Sequence, residues 1–177
     1  IKTAFLAEEF KELDVNIARA LEDTLSTFEK SEDPQDIEII LDRHYYNHLS
    51  QVAKETEIPL FMDYVKNMVD FTNIKSLIRV KKMDKDVRFL EKILLDGGSI
   101  SIEKILYSIN DSLDAIIEKF SREDIGKPLV EGLEAFRKTG RLTEFEKISD
   151  NDLMRLHEPS RQIIFGPEPI FSYLFAK

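Results

Sequence analysis

Two histidines, His44 and His48, stand four residues apart in a stretch with helical spacing, where a pair of imidazoles can share one metal ion. Glu38 and Asp42 fall on neighbouring turns, so a carboxylate could in principle join them. The stretch His44-Tyr45-Tyr46-Asn47-His48 lacks the glutamate of the HExxH zinc motif, and the third histidine, His157, is remote in sequence. Solvated or hydrogen-bonded histidines are the plainer reading, and no metal ligand is assigned. Gly97-Gly98 invites comparison with a phosphate-binding loop, but the P-loop lysine and hydroxyl residue are missing. Two such glycines read more simply as a helix stop before a capped start. The 34 carboxylates are spread over amphipathic segments, and no pair stands out in an apolar setting as a general acid and base. There is no GxGxxG or GxSxG pattern, and the absence of cysteine excludes thiol nucleophiles, Cys-based metal sites and disulfides. No catalytic, cofactor-binding or metal-binding residue is expected.

Charge narrows the partners. A net charge of −9 on 177 residues argues against a broad nucleic-acid or anionic-lipid surface. No apolar run approaches the roughly 18 residues needed to span a bilayer, and a secretory signal is missing. Charge is also uneven: residues 1–36 carry four basic and ten acidic side chains, whereas residues 75–92 carry seven basic and three acidic. An isolated basic face on an acidic protein can dock an acidic partner or a chain terminus. By elimination Lys75, Arg79 and Lys82 are the expected partner contacts.

The elements that position these residues are helices. Pro34, Pro59, Gly97-Gly98, Gly140 and the Gly166-Pro167-Glu168-Pro169 run punctuate segments of helical periodicity. Nine or ten helices are predicted: an opening one near Lys2 to Leu13, then Asp14 to Glu29, Pro34 to about Glu57, Leu60 to about Met83 and Val87 to Leu95. Ile102 to Ile109 follows, capped by Ser99 or Ser101, and then a helix through Phe120 capped by Asp111 or Ser112. The last three lie near Glu123 to Thr139, Thr143 to Leu156, and from Pro169 onward. The fold class is all-α, built of helical bundle domains.

The segment after Pro59 has an unusual pattern. At about 100° per residue, Phe61, Tyr64, Val65, Met68, Val69 and Phe71 share one side, with Asp63, Lys66, Asn67, Asp70 and Asn73 opposite. From Ile74 the sides exchange, with Ile74, Leu77 and Ile78 continuing the polar stripe and Lys75 and Arg79 the apolar one. Either the helix kinks near Asn73 or it joins two groups of packed helices, with Asp70 and Asn73 at the crossover satisfying neighbouring helix ends. A weak internal repeat accompanies it: Asp42-x-x-Tyr45-Tyr46 with Pro59-x-Phe61-x-x-Tyr64 is echoed by Asp150-x-x-Leu153-Met154 with Pro169-x-Phe171-Ser172-Tyr173.

Three stretches taken together resemble one family. They are Asp70-Phe71-Thr72-Asn73-Ile74-Lys75-Ser76-Leu77-Ile78-Arg79, the turn Leu95-Asp96-Gly97-Gly98-Ser99-Ile100-Ser101, and the run from Phe165 to Lys177 with Gly166, Pro169 and Tyr173. In this order they are similar to the C subunit of the bacterial and archaeal V-type (A-type) ATPases, counterpart of the eukaryotic d subunit, best from Ile37 onward. The resemblance implies an all-helical, funnel-shaped protein of three similar domains that seats the rotor shaft on the membrane ring of proteolipid subunits. It implies no catalysis, nucleotide or metal in this component, one copy per complex, a monomer when alone, and a cytoplasmic place at the membrane. Asp70, Asn73, Gly98, Gly166, Pro169 and Tyr173 are then structural motif residues. Family members are longer, so residues 1–83 are expected to be the middle domain and residues 84–177 a truncated last domain, with both ends cut. The competing readings are an unrelated all-α scaffold or regulatory module and a helical metal enzyme using His44 and His48.

Overall fold

The computed structural model describes Phe10, residues 13–158, Ile163 and residues 165–175. The expected opening helix lies almost wholly outside them. Among the described residues there are nine helices and no strand, so the fold is all-α as the periodicity indicated. They are α1 (Val15–Ser31), α2 (Pro34–Thr56), α3 (Pro59–Lys82), α4 (Val87–Ile93), α5 (Ile102–Tyr107), α6 (Leu113–Phe120), α7 (Gly126–Thr139), α8 (Leu142–Arg155) and α9 (Glu168–Phe175).

Short polar side chains set most of the helix starts. Asp14 accepts from the Asn16 amide at 2.9 Å to open α1, and Asp33 accepts from the Gln35 amide at 2.9 Å ahead of Pro34 in α2. Asp86, Ser101 and Ser112 cap α4, α5 and α6 in the same way. Ser99 and Asp111, the alternative caps, are used elsewhere: Ser99 bonds to Asp70, and Asp111 pairs with Lys119. The predicted start of α7 at Glu123 is early by three residues, because Glu123 to Ile125 close a tight turn in which the Gly126 amide donates to the Glu123 carbonyl at 2.8 Å.

The chain forms two compact units, Ile1–Gln51 and Val52–Lys177. The line between them falls inside α2. In the second unit α3 packs against α4, α5 and α8, and Phe71, Ile74, Leu77, Ile78 and Val80 are buried in one core with residues of the helices that follow.

Helix α3 runs without interruption from Pro59 to Lys82. Its apolar face does change sides. Phe61 and Val65 are buried while Asp63 and Lys66 are exposed; a few turns later Ile74 and Leu77 are buried along the latter side and Arg79 is exposed along the former. Helices α7 and α8 form a hairpin through Gly140, which ends α7 in the left-handed conformation at φ 67°. They meet closely at Gly132, where an added Cβ would lie 2.7 Å from Phe145 Cδ2. The two halves of the internal echo occupy different surroundings, since Tyr45 is exposed and Leu153 buried.

Candidate functional site

The most developed polar site among the described residues is built by α3 on the loop between α4 and α5. Asp70 and Asn73 are both buried, one turn apart. Asn73 makes a reciprocal pair with one residue: its Nδ2 donates to the Leu95 carbonyl at 2.8 Å, and the Leu95 amide donates to its Oδ1 at 2.9 Å. Asp70 takes the other end of the loop. The Ser99 amide donates to Oδ2 at 2.9 Å, the Ser99 hydroxyl to the same oxygen at 2.5 Å, and the Ile100 amide to Oδ1 at 3.0 Å. Gly98 lets the loop come this near, since a Cβ there would sit 2.1 Å from Asp70 Oδ1.

The glycine-rich turn is therefore a cradle for an anion, and the anion is the chain's own carboxylate. Successive amides of such a turn bind negative charge well. Burial nevertheless raises the Asp70 pKa above its ordinary 3.8, outweighing the bonds from Ser99 and Ile100 that favour the anion, and Glu123 adds to the rise.

The three basic residues are not equivalent. Lys75 faces Glu146 of α8 at 3.3 Å. Lys82 donates through Nζ to the Gly140 carbonyl at 2.9 Å, in the turn of the α7–α8 hairpin. Lys81 likewise donates to the Ile109 carbonyl after α5. Much of the basic segment thus holds unpaired carbonyls and a carboxylate of its own unit. Arg79 is exposed, and its side chain makes no hydrogen bond or ion pair among the described residues. Lys81 was missed in the sequence because its partner is 28 residues away and is a backbone oxygen.

His44 and His48 both line a groove between α1 and α2, and His44 Nε2 lies 2.8 Å from Asp23 Oδ2. No group of three or more metal-ligating side chains occurs among the described residues. His157 is buried in the second unit, with its ring 5.4 Å from that of Tyr64 and Nδ1 3.3 Å from the Ser172 hydroxyl; burial lowers its pKa from 6.5. In the last motif, Gly166 has φ 125°, a conformation for which glycine is the natural choice. Pro169 stands in the first turn of α9, where a missing N–H costs nothing, and Tyr173 is exposed. Among the described residues no helix is long and apolar enough to cross a membrane.

Comparison with known proteins places this architecture. The chain is 25% identical over 166 residues to the C subunit of the A-type ATP synthase of Methanothermobacter thermautotrophicus, covering 90% of this chain and 43% of that one. It is 28% identical over 149 residues to the protein of the same name from Thermococcus gammatolerans, covering 82% and 40%. With the C subunit of the V-type sodium ATPase of Enterococcus hirae it shares 20% over 143 residues, covering 81% and 43%. The chain thus spans about two fifths of the length of these relatives. No solved structure matches it. The family model for the ATP synthase (C/AC39) subunit matches residues 1–177, the whole of the sequence; the chain belongs to the ATP synthase C/AC39 subunit family.

Proposed function

We propose that the protein of which this chain is part is a non-catalytic central-stalk subunit of a V-type or A-type ATPase, coupling the rotor shaft to the membrane proteolipid ring. The observation that carries this reading is the family match over the full 177 residues. The curated relatives support it by their names, as subunits of A-type ATP synthases and of a V-type sodium ATPase. Torque transfer requires a stiff body, and the second unit supplies one: short connections, a continuous core from α3 to α8, and a buried polar clamp that fixes the α4–α5 loop to α3. Residence on the cytoplasmic face of the membrane, as one copy per complex, follows from the same reading.

Within that assembly Arg79 is the cation assigned to a partner. Lys75 and Lys82 flank it but are engaged within the fold. The test is co-purification of the full-length protein with shaft and ring subunits. Both should be retained by the unmodified protein, and Arg79→Glu should weaken retention of one of them. Failure to retain either one would overturn the reading; retention unchanged by Arg79→Glu would remove only the residue assignment.

A further inference from the structure

We propose that the groove between α1 and α2 is a docking site for a basic amphipathic helix of a partner protein. The groove has a volume of about 390 Å³, and its walls are mainly apolar: Ile17, Ala20 and Leu21 from α1, Leu41 and Tyr45 from α2. Ile17, Leu41 and Tyr45 are exposed, Tyr45 to 58%. On each helix the apolar residues recur at four-residue spacing, Ile17 with Leu21 and Leu41 with Tyr45. They form two ridges with a furrow between them, the relief into which a third helix sets its own i, i+3, i+4 and i+7 side chains. The exposed tyrosine is the type of residue that anchors such contacts, with an apolar ring and a polar tip.

Charge decides which helix. Residues 13–51 carry three basic and nine acidic side chains, a balance of −6. Asp14 lines the groove, and Asp23 of α1 pairs with His44 at the groove wall. An occupant with lysine or arginine flanking its apolar face meets the net negative charge of this unit, with Asp14 at the groove itself. An acidic segment and an anionic membrane are repelled by the same field. The inference concerns the chemistry of the partner and does not rest on the rotary-ATPase reading.

The test uses the full chain and three labelled peptides of about 18 residues, long enough to form helix on binding. One has leucine on a single face and lysine elsewhere. The second replaces lysine by glutamate, and the third scrambles the first so that no apolar face remains. The first should bind at least about tenfold tighter than either of the others, with an affinity that falls as salt is raised. The double substitution Ile17→Lys with Tyr45→Lys should weaken it at least about tenfold, whereas Tyr107→Lys, on an exposed residue of the other unit, should not. Should circular dichroism show the double variant unfolded, Tyr45→Ala truncates one exposed side chain and should still cost about threefold. Equal binding of the scrambled or acidic peptide, binding unmoved by the groove substitutions, or no binding of the first peptide would overturn the proposal. So would self-association of the chain abolished by those substitutions, which would make a second copy the occupant.

Discussion

Asp70 is a carboxylate removed from water and held by hydrogen bonds, and the charge that acts on it, Glu123, has its own sign. Such a group persists only if its donors are placed to meet both oxygens, because an unmet buried charge costs far more than a neutral one. Ser99 serves Oδ2 and Ile100 serves Oδ1. Asparagine would fill the same volume but turn an amide group toward one of those backbone donors, leaving a buried N–H unmet. Asp70→Asn is therefore expected to destabilise the protein by about 1–3 kcal/mol at neutral pH, even though it removes a buried charge. Urea unfolding of the two proteins measures the difference; an equally stable variant would mean that desolvation of the carboxylate cancels its bonds. In the sequence Asp70 and Asn73 already stand out as polar residues where the apolar face of α3 changes sides. Their partners could not be read there, since they are mostly backbone groups 22 to 30 residues away that only the folded loop brings near.

At the scale of elements the sequence was informative wherever a local rule decides. Helix starts follow from Asp and Ser caps and from proline in the first turn, and all but one of the expected helices can be matched to a described one. The pairing of helices was not legible, because Gly132 against Phe145, or Lys82 on the Gly140 carbonyl, depends on which faces meet in three dimensions. The ends of the three long helices carry a further local feature that composition hides. Glu32, Glu57 and Asp84 all adopt the left-handed conformation, with φ between 52° and 54°, where glycine is the common choice. After α3 the geometry is a Schellman motif: the Lys85 amide donates to the Val80 carbonyl at 3.1 Å and the Asp84 amide to the Lys81 carbonyl at 3.2 Å. Asp84 occupies the position that favours glycine. Asp84→Gly relieves the side-chain clash of that conformation at the cost of extra freedom in the unfolded chain. The net expectation is stabilisation by about 0.5–1 kcal/mol, seen as a higher urea midpoint with unchanged slope. A lower midpoint would show that the Asp84 side chain contributes more to the turn than its strain costs.

For the molecule as a whole, the response to pH follows from three groups of the second unit whose effects have opposite signs. Burial raises the pKa of Asp70, and it raises that of Asp152 as well, the opposing influence of Arg155 being smaller and Glu131 adding to the rise. A carboxyl group raised in the folded state binds more protons there than in the unfolded chain. The stability it confers is complete below about 3.8 and is lost as pH rises through its folded value. His157 works the other way. Burial lowers its pKa, so the folded state disfavours the imidazolium; its contribution is complete above 6.5 and is lost as pH falls through the lowered folded value. Between about pH 7.5 and 5 the histidine contributes a loss of stability on acidification, because in that interval the unfolded chain takes up the proton that the buried ring resists. The share of stability that His157 contributes is therefore expected to fall on acidification across this interval. The variant His157→Phe keeps an aromatic ring against Tyr64 but cannot be protonated, so its stability should fall less steeply over the same interval, whatever its absolute value. Urea unfolding at about pH 7.5, 6.5, 5.5 and 5 for both proteins gives the two slopes directly. Parallel slopes would mean that His157 is protonated as readily in the folded state as in the unfolded one, and that its burial against Tyr64 does not hold it neutral.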